Sequence, residues 1–256
     1  MFTRVRLCLG TMLVACALSS AATAATVESF SITSFGRSDL SAARSEMSSF
    51  LATHTVSNLR LETFDGYGAW DGHSGSTNPQ NTKVGSFSSF GAAGGGSSVV
   101  GDSSRLQVRN DGTMRWGRYN TDDVPLGGKW LDSNDNLGMR WEVGGDGKFN
   151  ALAFFVLDAA DVGGKFSIRV GDTLYSDLAG AGGRLANGNI QFVRILLSEA
   201  VDNLTVELFH DRINDGFGID GAAVAKVAPV PLPPAAALML PGLLALFGLR
   251  RRRAAA

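Results

Sequence analysis

The chain has 256 residues, 45% hydrophobic and 18% charged, with a formal net charge of -1; that balance belongs to a globular chain and excludes a wholly disordered one. The near-neutral total hides an asymmetry, because Arg4, Arg6 and the run Arg250 to Arg253 lie at the two ends, and removing these six of the 23 basic residues leaves 17 against 24 acidic ones. A body with that surplus of negative charge repels nucleic acid and anionic lipid, so neither is an expected partner of it.

Both cysteines, Cys8 and Cys16, fall in the N-terminal apolar run, so the body has no disulfide framework. A domain of roughly 200 residues needs none, since about 70% of its unfolded surface can be buried on folding. Arg4 and Arg6, the apolar stretch Leu7 to Leu18 and the small residues Ser19 to Ala24 follow the order of a secretory signal peptide, with Ala22-Thr23-Ala24 as its A-x-A site. Twelve residues of helix span about 18 Å against a hydrocarbon core of about 30 Å, too short for a permanent crossing. Residues 1–24 are therefore expected to be removed by signal peptidase, leaving Ala25 or Thr26 as the first residue. Leu13-Val14-Ala15-Cys16 supports a competing reading, a lipobox in which Cys16 is lipidated.

Residues 25–228 read as one secreted domain. Its first elements are a strand from Val27 to Phe35 and a helix from Asp39 to Leu51, capped by Ser38, with Leu40, Ala43, Met47 and Phe50 on one face. Further strands are expected at Arg60 to Tyr67, Lys83 to Phe90, Leu106 to Arg109, Met139 to Val143 and Phe149 to Leu157, then Phe166 to Val170, Ile190 to Leu197, Leu204 to His210 and Gly218 to Ala225. Alternation is clearest in Phe166-Ser167-Ile168-Arg169-Val170 and in Leu204 to Leu208, whereas Ala151 to Leu157 is apolar on both faces and fits a central strand. Turn dipeptides such as Gly171-Asp172 and Asn187-Gly188 divide the runs, and Gly91 to Ser98 reads as a flexible loop. Ten strands without a βαβ rhythm predict an all-β fold, a β-sandwich of jelly-roll kind, with one short amphipathic helix near its N-terminus.

Candidate sites are sparse. Asp132-Ser133-Asn134-Asp135-Asn136 concentrates carboxylates and amides, so Asp132, Asn134 and Asp135 are candidate calcium ligands. The run is not an EF-hand, since Leu137 stands where its glycine belongs, and it reads equally as a solvated turn whose side chains cap their own backbone. Asp215 and Asp220 share that ambiguity. Four tryptophans, Trp70, Trp116, Trp130 and Trp141, could stack on the apolar face of a sugar; Trp141 belongs to an alternating strand and to the core, and Trp70 beside Tyr67 in a Gly-rich loop is the stacking candidate. Catalytic patterns are absent from the sequence: His54, His73 and His210 lack metal spacing, and Gly72-His73-Ser74-Gly75-Ser76 departs from the nucleophile elbow at its last position. The body is therefore expected to be non-enzymatic, binding carbohydrate or calcium, with a jelly-roll hydrolase carrying a pair of carboxylates, or a surface protein held by a plain membrane or lipid anchor, as the alternatives.

The last segment, 229–256, holds a short proline motif, Val230-Pro231-Leu232-Pro233 with Pro234 and Ala235 after it, an apolar run from Ala235 to Leu249, and Arg250, Arg251, Arg252 and Arg253. Two prolines flanking Leu232 hold an extended, accessible strip. The fifteen apolar residues would form a single helix of about 22 Å, and the arginines act as a cytoplasmic stop by the positive-inside rule. This order resembles the PEP-CTERM sorting domains, and the motif resembles their VPLPA subtype, with Pro234 in place of the expected alanine. The resemblance implies recognition by an exosortase, transient anchoring in the inner membrane through the tail, removal of that tail, and delivery to the cell envelope or extracellular matrix of a bacterium that makes exopolysaccharide. Asn214 to Gly221, Asn-Asp-Gly-Phe-Gly-Ile-Asp-Gly, is similar to the closing segment of secreted sandwiches that carry such tails.

Overall fold

A computed structural model describes residues 25–53, 56–69, 78–110, 116–118, 128–178 and 183–227. The signal segment, Trp70, His54, His73 and the whole sorting tail lie outside the described residues. Twelve strands are present among the described residues: β1 (Val27–Phe35), β2 (Val56–Glu62), β3 (Gly85–Phe90), β4 (Gln107–Arg109), β5 (Trp130–Asp132), β6 (Gly138–Val143), β7 (Phe149–Leu157), β8 (Phe166–Val170), β9 (Thr173–Tyr175), β10 (Ile190–Val201), β11 (Leu204–His210) and β12 (Gly218–Val227). They form two antiparallel sheets, one ordered β1-β10-β7-β12-β5-β4 with β2 also on β12, the other β3-β6-β11-β8-β9. No helix among the described residues is long and apolar enough to cross a membrane.

The sheets face each other across one apolar core. Alternation decides which side chains enter it: Phe166, Ile168 and Val170 from β8 and Val206 and Leu208 from β11 meet Leu152, Phe154 and Val156 from β7 and Val193 and Ile195 from β10. Aromatic pairs order its centre, with Phe87 stacked on Trp141 at 5.3 Å and Phe154 edge-on to the same indole at 5.7 Å. The Trp141 Nε1–H donates to the Val84 carbonyl at 3.0 Å, which satisfies its one polar atom.

The apolar stretch of β7 is explained by burial on both sides. Its second face, Ala151, Ala153, Phe155 and Leu157, packs under helix α1 (Leu40–Thr53) through Ala43, Met47 and Phe50. The predicted helical stripe is the one that docks. Its start differs from expectation, because the chain enters through a 3₁₀ turn, Arg37–Asp39, closed between Gly36 and the Asp39 carboxylate rather than by Ser38.

Three other expectations are corrected. β2 lies upstream of the expected span and stops at Glu62, because Phe64 turns to φ 59° and the Glu62 carboxylate takes the Phe64 N–H at 2.7 Å and the Lys83 N–H at 3.1 Å. Strands β5 and β9 were not expected; each has three residues, too few for a periodic signal. Gly91 to Ser98 is not a free loop, since Gly94 N–H bonds to the Ser103 carbonyl and to Asn136 Oδ1, and a Cβ on Gly94 would fall 2.1 Å from the Asn134 carbonyl oxygen. Strand pairing then gathers several loops at one end of the sandwich: Gly218 at the start of β12 pairs with Asp132 and Leu157, and Leu157 pairs with Ile190 at the start of β10.

Candidate functional site

At that end the run from Asp132 to Asn136 is buried, every member 2% exposed or less. It is a hub of closed contacts and not a solvated turn. Asp132 Oδ2 accepts from Arg109 Nη1 at 3.2 Å, and Arg118 Nη1 lies 3.4 Å from Asp132 Oδ1 and 3.1 Å from Asp135 Oδ1. The Ser98 hydroxyl donates to Asp135 Oδ2. Asn134 Oδ1 accepts from the Val100 N–H at 2.8 Å, and its Nδ2 donates to the carbonyls of Val100, Asp102 and Arg105. One part of the sequence reading holds: Asp132 Oδ1 caps the Asn134 N–H at 2.8 Å. Every side-chain oxygen of the candidate calcium ligands Asp132, Asn134 and Asp135 thus has a protein partner.

Beside the hub opens a cavity of about 300 Å³, with Trp116 and Val162 at its exposed edge and Asp158, Asp161, Asn187 and Asn214 among its walls. Arg118 and Asp135 line its floor. Trp116 is 48% exposed and stands at φ 60°, a left-handed conformation costly for a bulky residue and found mostly where function holds it. Next to it, Gly117 at φ +82° lets the backbone reach the wall; a Cβ there would sit 2.2 Å from Asn187 Oδ1 and from both Asp158 oxygens. The Arg118 Nε–H, in a side chain 2% exposed, has no partner among the described residues.

The electrostatics divide the cluster in two. Arg109 and Arg118 balance Asp132 and Asp135, and although burial alone would lower it, the Arg118 guanidinium is held above its ordinary range by those two carboxylates. Burial nonetheless pushes the Asp132 carboxyl up. Asp158, Asp161 and Asp215 form no direct ion pair with an arginine or lysine among the described residues, although Arg118 acts on Asp158 and Asp161 from a distance and Arg184 on Asp161. Burial raises Asp158 to about 8, against a hydrogen bond from the Gly188 N–H at 2.7 Å. Burial and the facing Asp215 raise Asp161 to about 6. Asp215 Oδ2 accepts from the Gly164 N–H at 2.8 Å while its Oδ1 is buried without a partner. His210 is enclosed by Phe166 and Phe217, both its nitrogens lack partners among the described residues, and burial lowers it to about 4, so its 3.6 Å approach to Asp215 is that of a neutral ring near pH 7.

The expected stacking pair is not seen together, since Tyr67 is half-buried against the core and Trp70 lies outside the described residues. Trp130 and Trp141 are core, as buried tryptophans usually are. Among the described residues Trp116 is the tryptophan that reaches solvent, and its sequence signal was an aromatic residue set among Arg115, Gly117 and Arg118 with no alternation around it. Asp220 lies inside β12 and bonds the Gly221 N–H. Among the described residues, no three side chains of His, Cys, Asp or Glu are placed to share a metal ion.

The fold and site define an antiparallel two-sheet β protein with a polar pocket among its loops. No family model matches the chain, and no curated protein matches it. Among solved structures it is similar to the crystal structure of the Agl-KA catalytic domain, at 10% identity and a TM-score of 0.30 over 64% of this chain. The match spans 31% of that other chain, a likeness too low to carry any argument.

Proposed function

We propose that this is an exported envelope or matrix protein whose body binds carbohydrate in the loop-end pocket without cleaving it. The observation that carries the reading is Trp116, a half-exposed indole in a strained conformation over a cavity whose walls mix carboxylates, amides and an unpartnered guanidinium N–H. An aromatic face covers the apolar face of a pyranose, and the donors and acceptors beside it suit hydroxyls. The volume, about 300 Å³, is at the small end of ligand pockets and suits one sugar unit. Hydrolysis by the usual route needs two accessible carboxyls flanking the bond. Of the lining carboxyls, Asp135 is tied to Arg118 and Ser98 and Asp158 is 1% exposed, which leaves Asp161.

We further infer a jelly roll, from the strand order β5-β12-β7-β10 in one sheet against β6-β11-β8-β9 in the other. Export by signal peptidase and sorting by an exosortase rest on the two ends of the sequence, and exopolysaccharide is the natural ligand pool at that destination. The test is binding of the purified full-length chain to a panel of oligosaccharides. Trp116→Ala should weaken binding by about 2 kcal/mol, roughly 30-fold, with its melting temperature unchanged. Binding to no glycan in the panel, or release of reducing ends from a bound one, would overturn the proposal.

A further inference from the structure

The pocket holds carboxyls that form no direct ion pair with its cations among the described residues. Arg118 is committed to Asp132 and Asp135. Arg184, the other nearby cation, is exposed and places its Nε on the Asp161 carbonyl at 2.9 Å. Two carboxyls stand in the wall: Asp158, which keeps its proton near pH 7, and Asp161, which faces Asp215, whose Oδ1 is buried and unpartnered, so the charge falls to Asp161 and Asp215. His210, the nearest ring to Asp215, is sealed between two phenylalanines and supplies no charge at neutral pH.

From this geometry we propose that the pocket selects a sugar bearing a free, protonated amino group, with the ammonium on Asp161 and the Trp116 ring over the sugar face. The inference rests on the carbohydrate-binding reading and names its ligand class: a hexosamine glycan that is at least partly not N-acetylated. Two features support it beyond charge. An ammonium beside an indole gains a cation–π attraction that a neutral acetamide does not. The three N–H donors of an ammonium can be shared among Asp161, an amide oxygen of Asn187 or Asn214 and solvent, whereas a divalent ion needs six or more oxygens, and no three acidic or imidazole side chains converge here among the described residues. Burial is the main cause that raises Asp158 and Asp161 above the ordinary carboxyl range, with the neighbouring carboxyl adding to it, and a bound ammonium would offset that cost at Asp161.

The experiment measures binding of the full-length chain at pH 7 to glucosamine oligomers, to the same oligomers fully N-acetylated, and to glucose oligomers. The expected result is a preference of about tenfold or more for the amino form. Asp161→Asn should abolish the preference while leaving weak binding to all three, and Trp116→Ala should reduce all three. Both positions are partly or largely exposed, and an unchanged melting temperature in each variant keeps the comparison sound. Equal affinity for amino and neutral oligomers would overturn the inference and leave the carbohydrate reading standing, whereas binding to none would remove both. A calcium-dependent rise in melting temperature that Asp161→Asn removes, with displacement of the amino oligomer by calcium, would overturn it in favour of a metal site.

Discussion

Arg118 and Glu207 show how burial sets the worth of an ion pair. Arg118 is 2% exposed between Asp132 and Asp135, and truncating it leaves Asp135 without a cation and Asp132 with Arg109 alone in a dry site. Arg118→Ala should therefore cost about 3–5 kcal/mol in urea unfolding. Glu207 bridges Arg140 at 2.8 Å and Arg169 at 2.7 Å on the outer face of the second sheet, where both arginines are 43% exposed. There Arg140→Ala should cost about 1 kcal/mol or less, even though the bonds are the shorter ones. Asp158 makes a different prediction. Its native value of about 8 lies above the ordinary 3.8, so the folded state holds a proton that the unfolded state releases, and stability falls as pH rises towards 8. Asp161 acts in the same direction but is finished near 6, and His210, lowered to about 4 from 6.5, acts oppositely and only below 6.5. Between pH 6.5 and 8 Asp158 stands alone among these groups. The wild-type chain should lose up to about 2 kcal/mol across that window, and Asp158→Asn should not. Parallel curves for the two proteins would remove Asp158 as the linked group.

At the scale of elements, legibility followed length and periodicity. β1, β7, β8 and β11 have the bounds expected of them, because each places alternate or continuous apolar residues against a buried surface. The docking face of α1 was equally plain in Leu40, Ala43, Met47 and Phe50. Met47 is fully buried against the outer face of β7, so Met47→Ala should destabilise by about 2–5 kcal/mol, measured by thermal or urea unfolding. A loss under about 1 kcal/mol would mean that the helix is not part of the cooperative unit. What was not legible depended on partners distant in sequence. β5 exists because Trp130, Leu131 and Asp132 pair with Gln107 to Arg109 on one side and with Gly218 and Ile219 on the other. β9 is a short edge whose Tyr175 stacks on Phe30 at 3.8 Å, about 145 residues away in the chain.

At the scale of the whole molecule, the ends and the body answer to different physics. On the proposed sorting reading the proline motif, apolar run and arginine cluster act by local chemistry, and that reading rests on the order of residues alone. Replacing Pro231 and Pro233 with alanine should leave the melting temperature of the full-length chain unchanged, with less than about 0.5 kcal/mol lost, while the protein stays in the membrane fraction with its tail uncut. Processing and release at the parental rate would reduce the tail to a plain anchor. The sequence by itself determined the strand-rich character, the helix and its docking face, the central place of β7 and the core role of Trp141, because period-two and period-3.6 patterns report local burial directly. Only the tertiary structure decided what the polar residues do. Ser98, Arg118, Asp135, Asp158, Asn187 and Asn214 come from separate loops, and they meet because the antiparallel pairing of β5, β7, β10 and β12 brings those loops to one end. The same pairing turned Asp132, Asn134 and Asp135 from candidate ligands into a closed hub. It also left Trp116 exposed over a cavity, since contacts between distant loops leave no periodicity in the chain for a sequence reading to follow.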